Sequence, residues 1–253
     1  WKYPNRANEN EVVPYGSAPW YSNVGLPNEA STYSGKVAAP IFRKQFDLDQ
    51  TAENVVNARI YATAAGLYEL TFNDKKAGDE ALAPGFTQYE DHITYQAYNV
   101  TDLIKDGQNT ISATIGKGWY LGAIAYEIKG VQEAFIAKMV ITYADGSTQT
   151  IVTDDSWEYT DDGPILSNDM YNGEVYDATR TLKPYHYSKV GTTTAEALGI
   201  GQIISQISGS VKPMEVLEPV AVTEPKEGLH IFDFGQNFAG VVELTVNTEA
   251  GTQ

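Results

Sequence analysis

Apolar and polar residues alternate along much of the chain. In PIFRKQFDL (40–48), Ile41, Arg43, Gln45 and Asp47 alternate with Phe42, Phe46 and Leu48, and Lys44 alone interrupts the second set. A period of two puts neighbouring side chains on opposite faces of an extended chain, so this run predicts a strand with one buried face. VVNARIYATAAG (55–66) and LYELTFNDKKAG (67–78) read the same way, with Leu67, Glu69 and Thr71 alternating against Tyr68, Leu70 and Phe72. Asn73-Asp74 then predicts a tight hairpin turn, because both residues tolerate positive φ.

Further along, ALAPGFTQYE (81–90) reads as a loop punctuated by Pro84-Gly85, and HITYQAYNV (92–100) as a strand. VTDLIKDGQN (100–109) predicts one helical turn with Thr101 as N-cap, Leu103 and Ile104 inward and Gly107 as terminator. TISATIGKGWYLG (110–122) predicts a strand that runs into a glycine-rich turn. Residues 134–154 predict a hairpin around Asp145-Gly146, the strongest short-range hairpin signal in the chain. Residues 211–225 and 229–246 read as strands, and the best helical period, 194–204, is weakened by its glycines. Many short strands separated by turns predict an all-β fold: a sandwich of antiparallel sheets.

Composition narrows the function. The chain has 253 residues, enough for one large β domain or two smaller ones, and a hydrophobic fraction of 42%, enough to bury a core. Its net charge of −16 argues against a phosphate-binding groove, hence against nucleic acid, and against an anionic membrane surface. No cysteine is present, which excludes disulfides, thiolate zinc sites and thiol catalysis without fixing the compartment. There is no apolar run long enough for a membrane span, so no membrane insertion is expected, and no signal-peptide pattern stands at the start. An opening on Trp1 rather than Met reads as a piece of a longer chain.

Catalytic constellations are sparse. The histidines are His92, His186 and His230, and neither a G-x-S-x-G elbow nor a paired-histidine motif accompanies them. GKGWYLG (116–122) starts as G-x-G but continues with Trp and Tyr and opens no helix, so it is not read as a phosphate loop. Trp119 and Tyr120 within it either offer a stacking face to a sugar or plug the end of the sandwich. GPILSNDMYNGEVYDATR (163–180) is unusually polar for a segment between strands. Its Asp169, Glu174 and Asp177 can be set against the carboxyl pair that glycoside hydrolysis needs. The favoured reading makes them turn-forming and salt-bridging groups near Arg180.

Three blocks in order carry a resemblance: 67–122, the Asn-Asp-x-Tyr-x-Gly-Glu pattern of Asn168 to Glu174, and 218–246 with its Asp-Phe-Gly-Gln-Asn at 233–237. Together they resemble the N-terminal β-sandwich region of bacterial α-L-rhamnosidases. The first block alone is also similar to jelly-roll sugar-binding domains of β-galactosidase-like enzymes. The rhamnosidase resemblance implies an extended lead-in (1–35), a jelly-roll, galactose-binding-like domain (36–190), a connector (191–217) and the start of a second β-sandwich (218–253). It implies an accessory, non-catalytic part of an inverting glycoside hydrolase, whose catalytic (α/α) barrel lies elsewhere in the polypeptide. A free-standing carbohydrate-binding module is the rival. Partners implied are rhamnose-containing glycans and the catalytic domain of the same protein. Candidate carbohydrate-binding residues are Trp119, Tyr120, Asn168, Asp169, Tyr171, Asn172 and Glu174, with no catalytic residue and no resident cofactor. Calcium, to which Asn168, Asp169 and Asn172 would supply oxygens, is not favoured, because Lys117 stands where the resemblance leads one to expect an acidic or amide residue.

Overall fold

A computed structural model of the chain describes residues 2–3, 38–123, 130–245 and 247–249. It divides into two compact units, residues 1–211 and 212–253. In the first unit the strands are, in chain order, β1 (Lys2–Tyr3), β2 (Ile41–Phe46), β3 (Val55–Ala65), β4 (Leu67–Phe72) and β5 (Lys75–Lys76). There follow β6 (His92–Asn99), β7 (Asn109–Gly116), β8 (Ala134–Tyr143), β9 (Thr148–Val152) and β10 (Glu158–Thr160). The last are β11 (Ile165–Asp169), β12 (Gly173–Tyr176), β13 (Ser188–Lys189), β14 (Gly191–Thr192) and β15 (Gln202–Ser205).

Two sheets form an all-β sandwich. One runs β14-β1-β8-β3-β6-β15 with β9 also on β8, the other β13-β10-β2-β7-β4-β5. Among the described residues the pairings are antiparallel except that of β15 with β6. The alternation read from sequence is the packing: in β7, Asn109, Ile111, Ala113 and Ile115 are buried and their neighbours half-exposed. Phe42 and Tyr68 of one sheet meet Phe135 of the other, with ring centroids 6.1 and 6.0 Å apart. Tyr68 also places a polar hub in this core, its hydroxyl lying 3.0 Å from Ala62 O, 2.8 Å from Gln96 Oε1 and 3.0 Å from the Tyr98 hydroxyl. Burial then carries no orphaned hydroxyl penalty.

Several expectations are refined. Thr101 is not the N-cap of the turn Thr101–Leu103; Asn99 Oδ1 accepts the Thr101 amide at 3.0 Å, while Thr101 Oγ1 accepts the Ala58 amide. Residues 194–204 form a turn ending in left-handed Gly199 (φ 64°) and then β15, not a helix. Residues 191–205, read as connector, thus contribute β14 and β15 to the seven-stranded sheet. The described part of the lead-in, Lys2–Tyr3, pairs with β14 and β8; the rest of 1–35 lies outside the described residues. Residues 163–180, read as a polar segment between strands, contain a two-stranded hairpin, β11–β12.

The second unit contains the hairpin β16 (Ala221–Lys226) with β17 (Leu229–Asp233), shorter than the two strand-like runs in the sequence. Both its faces are exposed: Val222 is paired with Phe232 on one, and Thr223 with Ile231 on the other.

Candidate functional site

β3 ends at Ala65, β7 at Gly116 and β10 at Thr160, while β4, β8 and β2 begin level with them. The connections 66, 116–123 and 161–164 therefore gather at one end of the sandwich. There the chain leaving β7 makes a single helical turn, α1 (Gly118–Leu121), closed by Leu121 N donating to Lys117 O and Gly122 N to Gly118 O, each at 3.0 Å. The glycine-rich turn thus opens a short helix, contrary to the sequence reading. Two glycines are required. Gly118 has φ 54°, and a Cβ there would lie 2.4 Å from Leu67 Cγ; a Cβ on Gly122 would lie 2.2 Å from Gly118 O.

The β11–β12 hairpin grips this turn from both sides. Asn168 Oδ1 accepts the Lys117 amide at 2.7 Å, and Asp169 Oδ2 accepts the Ala123 amide at 2.9 Å. Asp169 Oδ1 accepts the amides of Tyr171 and Asn172 at 2.9 and 3.0 Å, shaping the hairpin tip. Both carboxylate oxygens of Asp169, and the side-chain oxygen of Asn168, are thus bonded to backbone. The half-buried sequence candidates Asn168 and Asp169 organise the loop. Tyr171, Asn172 and Glu174 project from the same hairpin and are exposed, Tyr171 at 69%. Glu174 stands directly across from Asn168 in the ladder.

α1 turns its two aromatics apart. Tyr120 is fully buried and donates its hydroxyl to Leu198 O, so it offers no face to a ligand, which corrects its place among the candidates. Trp119 is half-buried at the surface. A residue the sequence reading missed joins it: Phe86, 61% exposed, whose ring centroid lies 6.4 Å from that of Trp119. Phe86 in turn meets Tyr89 edge-on at 6.0 Å, and Tyr89 meets Tyr120 at 5.2 Å. The available signal was Pro84-Gly85, a turn that displays the next side chain. Burial pushes the Tyr120 hydroxyl up to about 12 and raises that of Tyr89 as well.

Of the other carboxylates of 163–180, Glu174 is exposed and Asp177 is bonded locally. Asp177 Oδ1 accepts the amide and hydroxyl of Thr179 at 3.0 and 2.6 Å, and the hydroxyl bond above all holds its carboxyl below the usual range. Arg180 donates to the carbonyls of Asp161 and Gly163 at 3.3 and 3.5 Å, closing the base of the hairpin. Among the described residues no group of three His, Cys, Asp or Glu side chains is placed to hold a metal. No helix among them is long and apolar enough to cross a membrane.

Known proteins align with this arrangement. Residues 53–216, more than half of the chain, match the family described as the α-L-rhamnosidase N-terminal domain. The chain belongs to that family. An α-L-rhamnosidase of Streptomyces avermitilis is 35% identical across 94% of this chain, and one of Alteromonas sp. 33% identical across 93%. The crystal structure of the Streptomyces avermitilis α-L-rhamnosidase complexed with L-rhamnose superposes with a TM-score of 0.69 at 34% identity, covering 80% of this chain and 20% of that one. The native Aspergillus terreus enzyme gives 0.68 at 34% identity, covering 79% and 24%. The chain spans 23% and 26% of the lengths of the two curated relatives, so it corresponds to an N-terminal portion of an α-L-rhamnosidase.

Proposed function

We propose that this region is the non-catalytic, accessory portion of an α-L-rhamnosidase, supporting the catalytic part of the same polypeptide and recognising rhamnose-containing carbohydrate at the end of its sandwich. The observation that carries the reading is that the hairpin bearing the exposed Tyr171, Asn172 and Glu174 is bonded, through Asn168 and Asp169, to the backbone on either side of the turn that carries Trp119. Pyranose rings pair an apolar face with a rim of hydroxyls, which suits one aromatic surface beside amide and carboxylate groups. Asp169 and Asp177 are bonded to nearby backbone, as structural carboxylates are, which supports a reading with catalysis elsewhere in the polypeptide.

Calcium does not fit these residues well. A calcium site needs six to eight oxygen ligands. The oxygens of Asn168 and Asp169 already accept backbone amides, so the recognition proposed here runs without a metal. The affinity expected for a single sugar is on the order of millimolar, because a small polar ligand buries little apolar area. Titration of the isotopically labelled chain with L-rhamnose tests the reading. Saturable shifts are expected, and their absence throughout the protein would reject carbohydrate recognition.

A further inference from the structure

Four aromatic rings at this end form a graded series. Tyr120 is fully enclosed, Tyr89 is 3% exposed, Trp119 is half-buried and Phe86 is 61% exposed. Tyr120 meets Tyr89, Tyr89 meets Phe86 and Phe86 meets Trp119, and the innermost ring is fixed by the bond from the Tyr120 hydroxyl to Leu198 O. An exposed phenylalanine is costly to leave in water without a use, and here it is braced from below by a buried neighbour. The helical turn that carries Trp119 is meanwhile held at the amide before it and at the amide after it. Two consecutive residues of one strand do this, Asn168 and Asp169.

We propose that Phe86 and Trp119 together form the apolar wall of the carbohydrate site, and that Asn168 and Asp169 are positioning residues that clip this wall in place without touching the sugar. The inference rests on the carbohydrate reading given above and deepens it. A bound sugar would lay its apolar face on the two rings and meet the exposed side chains of Asn172 and Glu174 on the other side. The polar pair that a sequence reading offers as direct ligands acts through geometry instead. Asp169 also ties the hairpin tip to the turn, since its two oxygens hold the Tyr171 and Asn172 amides on one side and the Ala123 amide on the other. The Trp119 turn and the hairpin tip are therefore tied through one carboxylate. Preorganisation of this kind raises affinity by removing the ordering cost of binding.

The test uses the whole chain and L-rhamnose, read by NMR. The indole resonance of Trp119, one of four tryptophans, is assigned by Trp119→Phe. In the parent protein that resonance should shift on titration. Phe86→Ala and Trp119→Ala should each weaken binding roughly tenfold. Asp169→Ala should displace the Trp119 indole resonance before any sugar is added and weaken binding by a similar factor, whereas Asn172→Ala should weaken binding and leave that unliganded resonance in place. Rhamnose binding that shifts other residues but is unaffected by Phe86→Ala and Trp119→Ala overturns the wall while leaving carbohydrate recognition standing. Binding lost in Asp169→Ala with an unmoved indole resonance overturns the clip, because Asp169 then contacts sugar directly. If no resonance responds to rhamnose, the carbohydrate reading itself fails, and the two rings are then assigned to packing against the remainder of the rhamnosidase polypeptide.

Discussion

The side-chain amide of Asn73 donates to the side-chain oxygen of Asn109 at 2.8 Å. This bond centres a polar knot at the end of the sandwich remote from Trp119. Asn109 is fully buried, donates to Lys105 O and Gly107 O, and also accepts the Lys105 amide. Asn73, left-handed at φ 50°, donates to Leu103 O and accepts the Thr110 amide. Replacing Asn109 by Ala removes these bonds, all of them part-buried. The expected cost is about 2–4 kcal/mol, read as a lower urea midpoint at unchanged slope. An unchanged midpoint would show that the knot contributes nothing net.

Alkaline pH should unfold the sandwich late and cooperatively. Burial, above all, raises Tyr98 and Tyr120 from 10.0 to about 12, and raises Tyr68 strongly. A group whose folded pKa exceeds its unfolded one gives stability that is complete below the unfolded value. That stability is lost as pH rises through the folded value. Stability should therefore hold to pH 10 and fall toward pH 12. Tyrosinate absorbance should show the exposed tyrosines titrating first and the buried ones together with loss of structure. Simultaneous titration of all tyrosines in a folded protein would contradict the burial described.

The chain alone should not release rhamnose from an aryl rhamnoside. Glu174 is exposed and Asp177 is held by Thr179, whereas glycoside hydrolysis uses two carboxyls that flank one bond. A chromogenic assay on highly purified protein checks this. Turnover abolished by Glu174→Gln or Asp177→Asn would place chemistry in the hairpin after all.

Calcium should bind no more tightly than about millimolar, since the side-chain oxygens of Asn168 and Asp169 are already engaged by backbone amides. Calorimetry decides. Micromolar or tighter binding removed by Asp169→Ala would mean that the amide contacts of Asp169 yield to a metal.

Residues 212–253 should promote self-association. Val222, Ile231, Phe232 and Leu244 are all more than half exposed, and an uncovered hairpin offers both an apolar face and an open edge. Sedimentation at rising concentration should show association that weakens when 212–253 are removed. A strictly monomeric full chain would count against it.

The fold was legible where one face is buried and the other is not. Phe42 and Phe46 in β2, or Ile111 and Ile115 in β7, advertise their strands because burial enforces the period of two. Asn73-Asp74 and Asp145-Gly146 marked their turns because those turns need left-handed backbone, which Asn73, Asp74 and Gly146 adopt. The β11–β12 hairpin left no such trace, since every residue in it is at least half-exposed and polar groups, not packing, hold it. Even Lys44, which breaks the alternation of β2, has a local cause: its ammonium reaches past the core face to Ser156 and Asp154. In the site, Trp119 and Tyr120 looked equivalent. A helical turn separates successive side chains by about 100°, so one faces outward when the other is buried. Phe86 entered through a contact remote in sequence, which periodicity does not encode.

The parallel pairing of β15 with β6 has a mechanical consequence. Gln202 to Ser205 align with His92 to Tyr95 in register, and the Gln206 amide continues the ladder to Tyr95 O. A pull along the axis of β15 loads these bonds together, in shear, whereas a pull across it would open them singly. The Ala81 amide, bonded to Val211 O at 2.7 Å, stands as a further catch on the same stretch of chain. Tension on the polypeptide beyond Val211 must therefore break a small set of bonds in concert before it reaches the core, and the strand by which the chain leaves the domain is also its strain relief.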